Sequence, residues 1–226
     1  MDQRCYSVAI DGPAGAGKST MARRAAQALD FVYVDTGAIY RTVAYATLSG
    51  GVSPEDGEAV AALLPELRVE LSWQEGVQHM ILNGCDVTAE IRKPEVSDGA
   101  SKVAALPVVR DFLMDTQRNA AKTHSVIMDG RDIGTVVMPD ADVKIFLSAS
   151  PEVRAKRRLL ELQAQNRTVT FDDVLQDIKE RDYRDSHRKT APLRQADDAV
   201  LLDTSELTLE ESVEAILNLI RKKTGL

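Results

Sequence analysis

Short apolar runs recur along the chain, separated by stretches in which apolar residues follow a helical period. Five of these runs have the length and β-branched content of buried parallel strands: residues 6–10, 31–34, 125–128, 143–147 and 199–202. Helices are predicted between them, with clear starts at Ser150-Pro151 and at Thr208, where Glu211 completes a capping box. The alternation predicts an α/β fold, with a five-stranded parallel sheet flanked by helices.

One region departs from this rhythm. Apolar and polar residues alternate over 67–73, a second strand-like run follows at 77–82, and Asn83-Gly84 is a strong hairpin signal. The pattern predicts a small antiparallel sheet of two or three strands, inserted at residues 63–102 into a single domain that covers residues 1–226.

The overall composition narrows the class of protein. The chain has 226 residues and a net charge of −7, which argues against a protein held on nucleic acid by bulk charge. No apolar stretch has the length of a membrane span, and residues 1–4 lead straight into the first predicted strand without a signal peptide. We expect a soluble cytoplasmic monomer without nucleic-acid or membrane partners, in which Cys5 and Cys85 are reduced.

The stretch GPAGAGKST, residues 12–20, connects the first predicted strand to the first predicted helix. Gly12, Gly17, Lys18 and Ser19 have the spacing G-x-x-x-x-G-K-[ST], in which backbone N–H groups surround phosphate oxygens, the lysine reaches the outer phosphates and the hydroxyl binds magnesium. The phosphates would lie at a helix N-terminus, which favours anions. The motif predicts a nucleotide-binding loop, but switches, motors, transporters and kinases share it, so it does not identify the acceptor.

Positive charge is concentrated in residues 151–194, whose net charge is +3. Three arginines share one face of the first predicted helix there, and a polar break separates it from a second helix that Thr170 and Asp173 can cap. The charged residues are Arg154, Arg157 and Arg158 on the first helix and Arg181, Arg184, Asp185 and Arg188 on the second. Such faces can be solvated and salt-bridged, but beside a phosphate loop they are more typical of a lid over phosphates, predicted here at residues 154–170.

Two further segments, VDTGAIYR from residue 34 and MDGRDIGT from residue 128, directly follow predicted strands. Ligands of open α/β sheets lie beyond the carboxyl ends of the strands, where these segments are expected to meet. Each segment alone could be a surface turn. Together with the predicted lid they supply three sources of arginine at one edge of the sheet, which favours a phosphate-handling site. The residues concerned are Thr36 and Arg41 in the first segment and Asp129, Arg131 and Asp132, in a tight turn, in the second.

Five motifs together resemble the bacterial cytidylate kinase family: IDGPAGAGKST, DTGAIYR, DGRDIGT, KIFLSASPEVRAKRR and IKERDYRDSHRKTAPL. They occur in the family's order over nearly the whole chain, and the β-rich insertion fits the family's enlarged monophosphate-binding region. Ser19 stands where some members have glycine and Thr36 where some have serine, and both positions carry a hydroxyl here. The resemblance implies a P-loop kinase with a helical lid, which transfers a phosphoryl group from ATP with Mg²⁺ to CMP or dCMP in pyrimidine nucleotide metabolism.

The resemblance also implies roles for individual residues. ATP would be held by Gly12, Pro13, Ala14, Gly15, Ala16, Gly17, Lys18, Ser19 and Thr20, with Arg157 and nearby lid arginines over its phosphates and Ser19 on the metal. CMP would be held by Thr36, by Arg41, Arg131 and Arg188 at its phosphate, by Arg181 and Asp185 at its sugar, and by Ser101, Arg110 and Asp132 at its base. The residues implied in catalysis are Lys18, Asp129, Arg131, Arg157 and Arg188, with Asp129 organising metal-bound water.

A phosphate acceptor needs no general base, because a monophosphate with a second pKa of about 6 is already mostly a dianion near neutral pH. The nearest alternative is a P-loop kinase for a hydroxyl acceptor such as shikimate, in which Asp35 or Asp129 would take the proton. A GTPase would need a guanine-reading N-K-x-D motif, which the sequence lacks. The letters LSGG at residues 48–51 lie too close to the phosphate loop for the signature of a transporter ATPase.

Overall fold

The computed structural model describes residues 4–164 and 167–226. Contacts group the chain into two compact units, here called the first unit, which contains Phe31–Val126 and the start of the chain, and the second unit, which contains Tyr6–Asp30 and Ile127–Leu226. Residues 165 and 166 of the predicted lid lie outside the described residues.

The described elements alternate between strands and helices for most of the chain. The strands are β1 (Ser7–Asp11), β2 (Val32–Asp35), β3 (Val69–Gln74), β4 (Val77–Leu82), β5 (Cys85–Asp86), β6 (Val126–Gly130), β7 (Val143–Ser148) and β8 (Val200–Asp203). The helices are α1 (Lys18–Leu29), α2 (Thr36–Ser49), α3 (Gly57–Leu63), α4 (Pro94–Val103), α5 (Pro107–Asn119), α6 (Pro151–Ala164), α7 (Phe171–His187) and α8 (Leu209–Thr224). None of the helices in this part of the chain combines the length and apolar character needed to cross a bilayer.

The larger sheet has the strand order β2-β6-β1-β7-β8, and β1, β7 and β8 pair in parallel. The predicted α/β class, with a five-stranded parallel sheet, flanking helices and a small antiparallel sheet, is confirmed. Each strand of the larger sheet begins and ends within two residues of its predicted bounds. All five extend past the apolar run at the carboxyl end, into a polar residue or, in β6, through Asp129 to Gly130, because ladder hydrogen bonds do not depend on the side chain.

The first unit contains the three-stranded antiparallel sheet, in the order β3-β4-β5. Its hairpin turns are Glu75-Gly76, with φ of 51° and 77°, and Asn83-Gly84, with φ of 49° and 84°. Positive φ at both central residues is the type I′ geometry that suits the twist of paired strands. The predicted hairpin at Asn83-Gly84 is therefore confirmed, and the sheet lies within the predicted insertion.

The second unit carries the phosphate loop between β1 and α1, and its helices begin where the sequence predicts. Thr208 with Glu211 and Thr170 with Asp173 form complete capping boxes at α8 and α7. Helices α6 and α7 pack on each other through a small apolar cluster of Ala155, Leu162, Val174 and Ile178.

One helix boundary differs from the prediction. Arg188 is expected on the face of α7, but the helix ends at His187 and Arg188 has extended backbone angles, φ −64° and ψ 142°. The chain turns there because the N–H of Leu193 donates to the backbone oxygen of Asp185 at 2.8 Å, which folds the segment after the helix back on its last turn. Pro192 within this segment is also unsuited to a continuing helix.

Candidate active site

The phosphate loop of the second unit is held by buried polar contacts. Lys18, the first residue of α1, is only 5% exposed, and its Nζ donates to the backbone oxygen of Pro13 at 2.8 Å. Burial lowers the pKa of Lys18, and the charge of Arg131 lowers it further, against the opposing effect of Asp129 and Asp11. The lysine of the loop therefore lies within electrostatic reach of the arginine of the MDGRDIGT segment.

Arg154 supports the same loop from α6. Its buried guanidinium donates from Nη1 to the backbone oxygen of Ala14 at 2.8 Å, from Nε to that of Ala149 at 2.8 Å and from Nη2 to Asp182 at 2.7 Å. The sequence pattern placed Arg154 with Arg157 on a charged face and did not indicate a buried role. The strand order explains this position. The phosphate loop follows β1 and α6 follows β7, and these two strands are neighbours in the sheet, so the start of α6 lies next to the loop.

Gly12 admits no side chain, because its φ is +154° and a Cβ built there would lie 2.0 Å from the backbone oxygen of Leu147. We expect Gly12→Ala to lower the free energy of unfolding by about 2 kcal/mol or more and to weaken ATP binding, since the loop must move. Gly51→Ala is the control, because Gly51 has a φ of +70° but open space around it. That variant should lose about 1 kcal/mol and bind ATP normally. Chemical denaturation and ATP titration measure both effects, and equal behaviour of the two variants would contradict the steric argument.

Asp129 lies inside β6 and not in a tight turn after it as the sequence predicts. The ladder hydrogen bonds continue through Asp129 to Gly130, and the chain leaves the strand only at Arg131. In this position the Oδ2 of Asp129 accepts a hydrogen bond from the hydroxyl of Ser19 at 3.0 Å. A hydroxyl and a carboxylate side by side are hard oxygen ligands of the kind that Mg²⁺ takes together with waters and phosphate oxygens.

Arg131, Asp132, Arg181, Asp185 and Arg188 lie together in the second unit. Arg131 Nε donates to Asp185 Oδ2 at 2.8 Å, and Arg188 Nη2 donates to Asp132 Oδ1 at 3.1 Å. Burial alone would raise the pKa of Asp185, but Arg131, Arg181 and Arg188 together hold it below the ordinary value. Arg131 and Arg188 are each held by a neighbouring carboxylate, and Arg181 lies near enough to Asp185 for its charge to lower the pKa of that carboxyl.

Arg157 on α6 binds Thr204, the residue that follows β8. Its Nη2 donates to the backbone oxygen of Thr204 at 2.7 Å and its Nη1 to the hydroxyl of Thr204 at 3.3 Å. Arg158, one residue on, is exposed and pairs with Glu161 at 2.9 Å. The three arginines of the predicted lid face are thus held differently: Arg154 by two backbone oxygens and a carboxylate, Arg157 by the backbone oxygen and hydroxyl of Thr204, and Arg158 by a carboxylate at the surface.

In the first unit, Asp35 organises the start of α2. Its Oδ1 accepts the N–H of Ala38 at 2.9 Å as the helix cap, and its Oδ2 accepts from Arg41 Nη2 at 2.7 Å. A second guanidinium, of Arg92, lies 3.6 Å from the same Oδ2. Burial would raise the pKa of Asp35, but Arg41 and Arg92 lower it, so the carboxylate stays ionised. No motif in the sequence indicated Arg92, which lies in the predicted insertion.

Other predicted residues of the first unit surround α2. Thr36, the first residue of that helix, is 3% exposed, and Arg110 on α5 is 2% exposed. Arg110 donates to the backbone oxygen of Ala104 at 3.3 Å, and its guanidinium carbon lies 5.6 Å from the centre of the Tyr40 ring. Ser101 is half-buried on α4.

Comparison with known proteins decides the family. A family model described as cytidylate kinase matches residues 8–222. The chain belongs to the cytidylate kinase family. A cytidylate kinase of Clostridium botulinum (strain Langeland) is 47% identical over 216 residues, which are 96% of this chain and 98% of that protein. One from Lactobacillus johnsonii is 46% identical and covers 96% of this chain and 94% of its own length.

The likeness to solved structures concerns the fold alone. The crystal structure of an uncharacterized protein from Eubacterium ventriosum matches with a TM-score of 0.54 at 14% identity, over 97% of this chain and 99% of that chain. Together with the family match, these findings confirm the cytidylate kinase family that the five sequence motifs predict, and with it a nucleoside monophosphate kinase of the P-loop class.

Proposed function

We propose that the protein transfers the γ-phosphoryl group of ATP to CMP or dCMP, giving ADP and CDP or dCDP. The observation that carries the proposal is the closeness of Lys18, in the phosphate loop, to Arg131, which the Asp185 carboxylate holds in place. Cations for the donor and for the acceptor phosphate then lie in one charged site. Phosphoryl transfer needs such positioning and charge neutralisation more than it needs covalent chemistry.

Arg41, Arg131 and Arg188 are the proposed ligands of the acceptor phosphate. Each makes an ion pair with a buried aspartate, Asp35, Asp185 or Asp132 respectively, which fixes the direction of its guanidinium. Within the described residues, nothing accepts a hydrogen bond from the buried Nε of Arg41. A buried donor without a protein acceptor is accounted for by a ligand, here a phosphate oxygen.

The remaining proposed contacts are to the sugar and base of the acceptor and to the phosphates of ATP. Arg181 and Asp185 are proposed to bind the sugar, Ser101, Arg110 and Asp132 the base, and residues 12–20 the ATP phosphates. A divalent cation, proposed as Mg²⁺, would be held by the Ser19 hydroxyl with Asp129 beside it, and when bound it neutralises charge on phosphate oxygens. No residue needs to remove a proton, since the acceptor phosphate arrives as a dianion.

The protein is further proposed to act as a cytoplasmic monomer on small nucleotides. The net charge of −7 supports the absence of a nucleic-acid partner. Light scattering during size-exclusion chromatography measures the oligomeric state, and a dimer mass would contradict this part of the proposal.

Coupled detection of ADP release tests the reaction. Each ribo- and deoxynucleoside monophosphate is offered in turn with ATP and Mg²⁺, and shikimate is included as a hydroxyl acceptor. Turnover of CMP and dCMP is expected, and shikimate should be inert. Turnover of shikimate without turnover of CMP would overturn the proposal in favour of a kinase with a general base.

The two phosphate sites should respond differently to loss of their arginines. Arg41→Ala or Arg188→Ala should raise the KM for CMP by about ten-fold or more, because a charge-assisted hydrogen bond is worth about 1.5–3 kcal/mol, and should leave the KM for ATP nearly unchanged. Arg157→Ala should chiefly lower kcat, because a lid contact forms on closure. Arg221→Ala, at an exposed position in α8 for which no role is proposed, is the control. Steady-state kinetics in both substrates separates these cases, and the reverse pattern would mean that the sites are exchanged.

A further inference from the structure

The inserted sheet of the first unit reaches the outer edge of β2. This strand is the first in the order β2-β6-β1-β7-β8, and the N–H of Val32 donates to the backbone oxygen of Ser125 at 2.9 Å. Because backbone groups of successive residues point to opposite sides of a strand, those of Tyr33 and Asp35 point to the side opposite to those of Val32, away from the ladder. An edge of this kind exposes N–H and C=O groups without strand partners.

Two side chains of the inserted sheet bind these groups. Gln78 Oε1 accepts the N–H of Asp35 at 2.7 Å, and Gln78 Nε2 donates to the backbone oxygen of Asp35 at 3.3 Å. Trp73 Nε1 donates to the backbone oxygen of Tyr33 at 3.3 Å. Trp73 and Gln78 lie directly opposite each other in the β3–β4 pairing, so one cross-strand pair serves two alternate residues of β2.

The amide of Gln78 imitates the edge of a neighbouring strand. It offers one acceptor and one donor to the N–H and C=O of a single residue, as a strand residue would. Gln78 is buried, so both bonds are shielded from water. Leaving the N–H of Asp35 unpaired there would be unfavourable, because a buried donor would have lost its water without gaining another acceptor.

Asp35 is also the residue on which the arginine of the proposed acceptor site depends. Its carboxylate caps α2 and pairs with Arg41 at 2.7 Å, so the position of its main chain sets the position of the guanidinium. A side chain added at Gly37 would come within 3.1 Å of Arg41 Nη1, which shows how closely the guanidinium lies against the backbone behind Asp35.

We propose that Gln78 and Trp73 form an edge clamp through which the inserted sheet positions Arg41 for the acceptor phosphate. Gln78 is a positioning residue: it touches the main chain of Asp35 and acts on the phosphate only through Asp35 and Arg41. The inference rests on the proposed role of Arg41 as a phosphate ligand. It gives the inserted sheet a part in acceptor binding without a substrate contact of its own.

Amide hydrogen exchange tests the clamp independently of activity. In Gln78→Met the exchange of the Asp35 N–H should accelerate by about ten-fold or more, since the lost bond protects a single amide. Gln74→Met is the matched control, because Gln74 is exposed in the same small sheet. It should leave the exchange of Asp35 unchanged. Equal exchange of the Asp35 amide in wild type and Gln78→Met would overturn the clamp.

Kinetics tests the consequence for the acceptor site. Gln78→Met should raise the KM for CMP by about five- to ten-fold, the size of one or two net hydrogen bonds, with the KM for ATP changed less than two-fold. In an Arg41→Ala background the same substitution should add less than two-fold, because residues that act through one another are not additive. Should Gln78→Met fail to fold, Trp73→Phe, which removes the indole N–H and keeps an aromatic ring at this partly exposed position, should raise the KM for CMP by about two-fold.

The outcomes separate the clamp from the proposed function. If Arg41→Ala leaves the KM for CMP unchanged, the proposed role of Arg41 fails, and the proposed part of the clamp in acceptor binding fails with it. If Arg41→Ala weakens CMP binding and Gln78→Met does not, only the clamp fails. An equal rise in both KM values, or full additivity with Arg41→Ala, would mean that Gln78 merely stabilises the fold, which also overturns the inference.

Discussion

Lys18→Ala is expected to lower kcat/KM by about 10³-fold, the upper range for removing one preorganised charge from a transition state, while the protein still folds. The ammonium group is buried against the backbone of Pro13 and lies beside Arg131. During transfer, negative charge spreads over the phosphoryl oxygens, and without Lys18 the loop has only backbone N–H groups to neutralise it. Steady-state kinetics with CMP and ATP measures the loss.

The stability of the same variant distinguishes a functional lysine from a structural one. Burial lowers the pKa of Lys18 from 10.5 to about 7. At pH values between these two, folding without nucleotide therefore releases a proton from Lys18. The unfolded state then binds more protons, and the contribution of Lys18 to stability rises as pH rises through that window. Lys18→Ala should therefore be at least as stable as wild type at pH 7, and it should gain less stability between pH 7 and pH 10.

Lys222→Ala, at an exposed position in α8, is the control for both measurements. It should retain wild-type kinetics and the wild-type dependence of stability on pH. Wild-type turnover by Lys18→Ala would refute the assignment of the phosphate loop, and a large loss of stability at pH 7 would show that the lysine serves the fold.

Most of the larger sheet could be predicted because β1, β2, β6 and β7 are largely buried on both faces, whereas β8 has half-buried and exposed residues. Such strands appear in the sequence as continuous apolar runs, for example residues 126–128, which can be recognised without knowing how the strands pair. The hairpin at Asn83-Gly84 could be predicted for a different reason, since only a few residues adopt positive φ without strain. The end of α7 could not, because the bond from Leu193 to Asp185 joins residues that lie in no common element.

The charged residues were harder to interpret than the apolar ones. Arg154 and Arg158 look alike in a helical pattern, yet the first is buried beneath the phosphate loop and the second is exposed. No sequence pattern indicated a role for Gln78, because its proposed role depends on which strand lies at the edge of the larger sheet. The residues proposed to bind ligand lie in sequence motifs, whereas the residue proposed to position them could be named only once the strand order was known.

We expect the protein to discriminate strongly between cytosine and uracil in the acceptor nucleotide. Cytosine presents an amine donor beside its N3 acceptor, and uracil presents a carbonyl beside a protonated N3, so the polar pattern is reversed. On the proposed assignment, the carboxylate of Asp132 would accept from the amine, and Arg110 with Ser101 would donate to N3 and O2. We expect kcat/KM for CMP and dCMP to exceed that for UMP by up to about 10⁴-fold, the limit for sites built on hydrogen bonds. Purine monophosphates should be inert because they are larger.

Asp132→Asn should narrow the ratio of CMP to UMP, chiefly by damaging CMP, because an amide can present either a donor or an acceptor. Asp132 also accepts from Arg188 at 3.1 Å, so the substitution weakens the hold on a proposed phosphate ligand. That second effect concerns the phosphate, which CMP and UMP share, and it cancels in the ratio of their kcat/KM values. Asp177→Asn, on an exposed face of α7, is the control. If wild-type protein turns over UMP as readily as CMP, or if Asp132→Asn leaves the ratio unchanged, the assignment of Asp132 to the base is wrong, even where phosphoryl transfer itself persists.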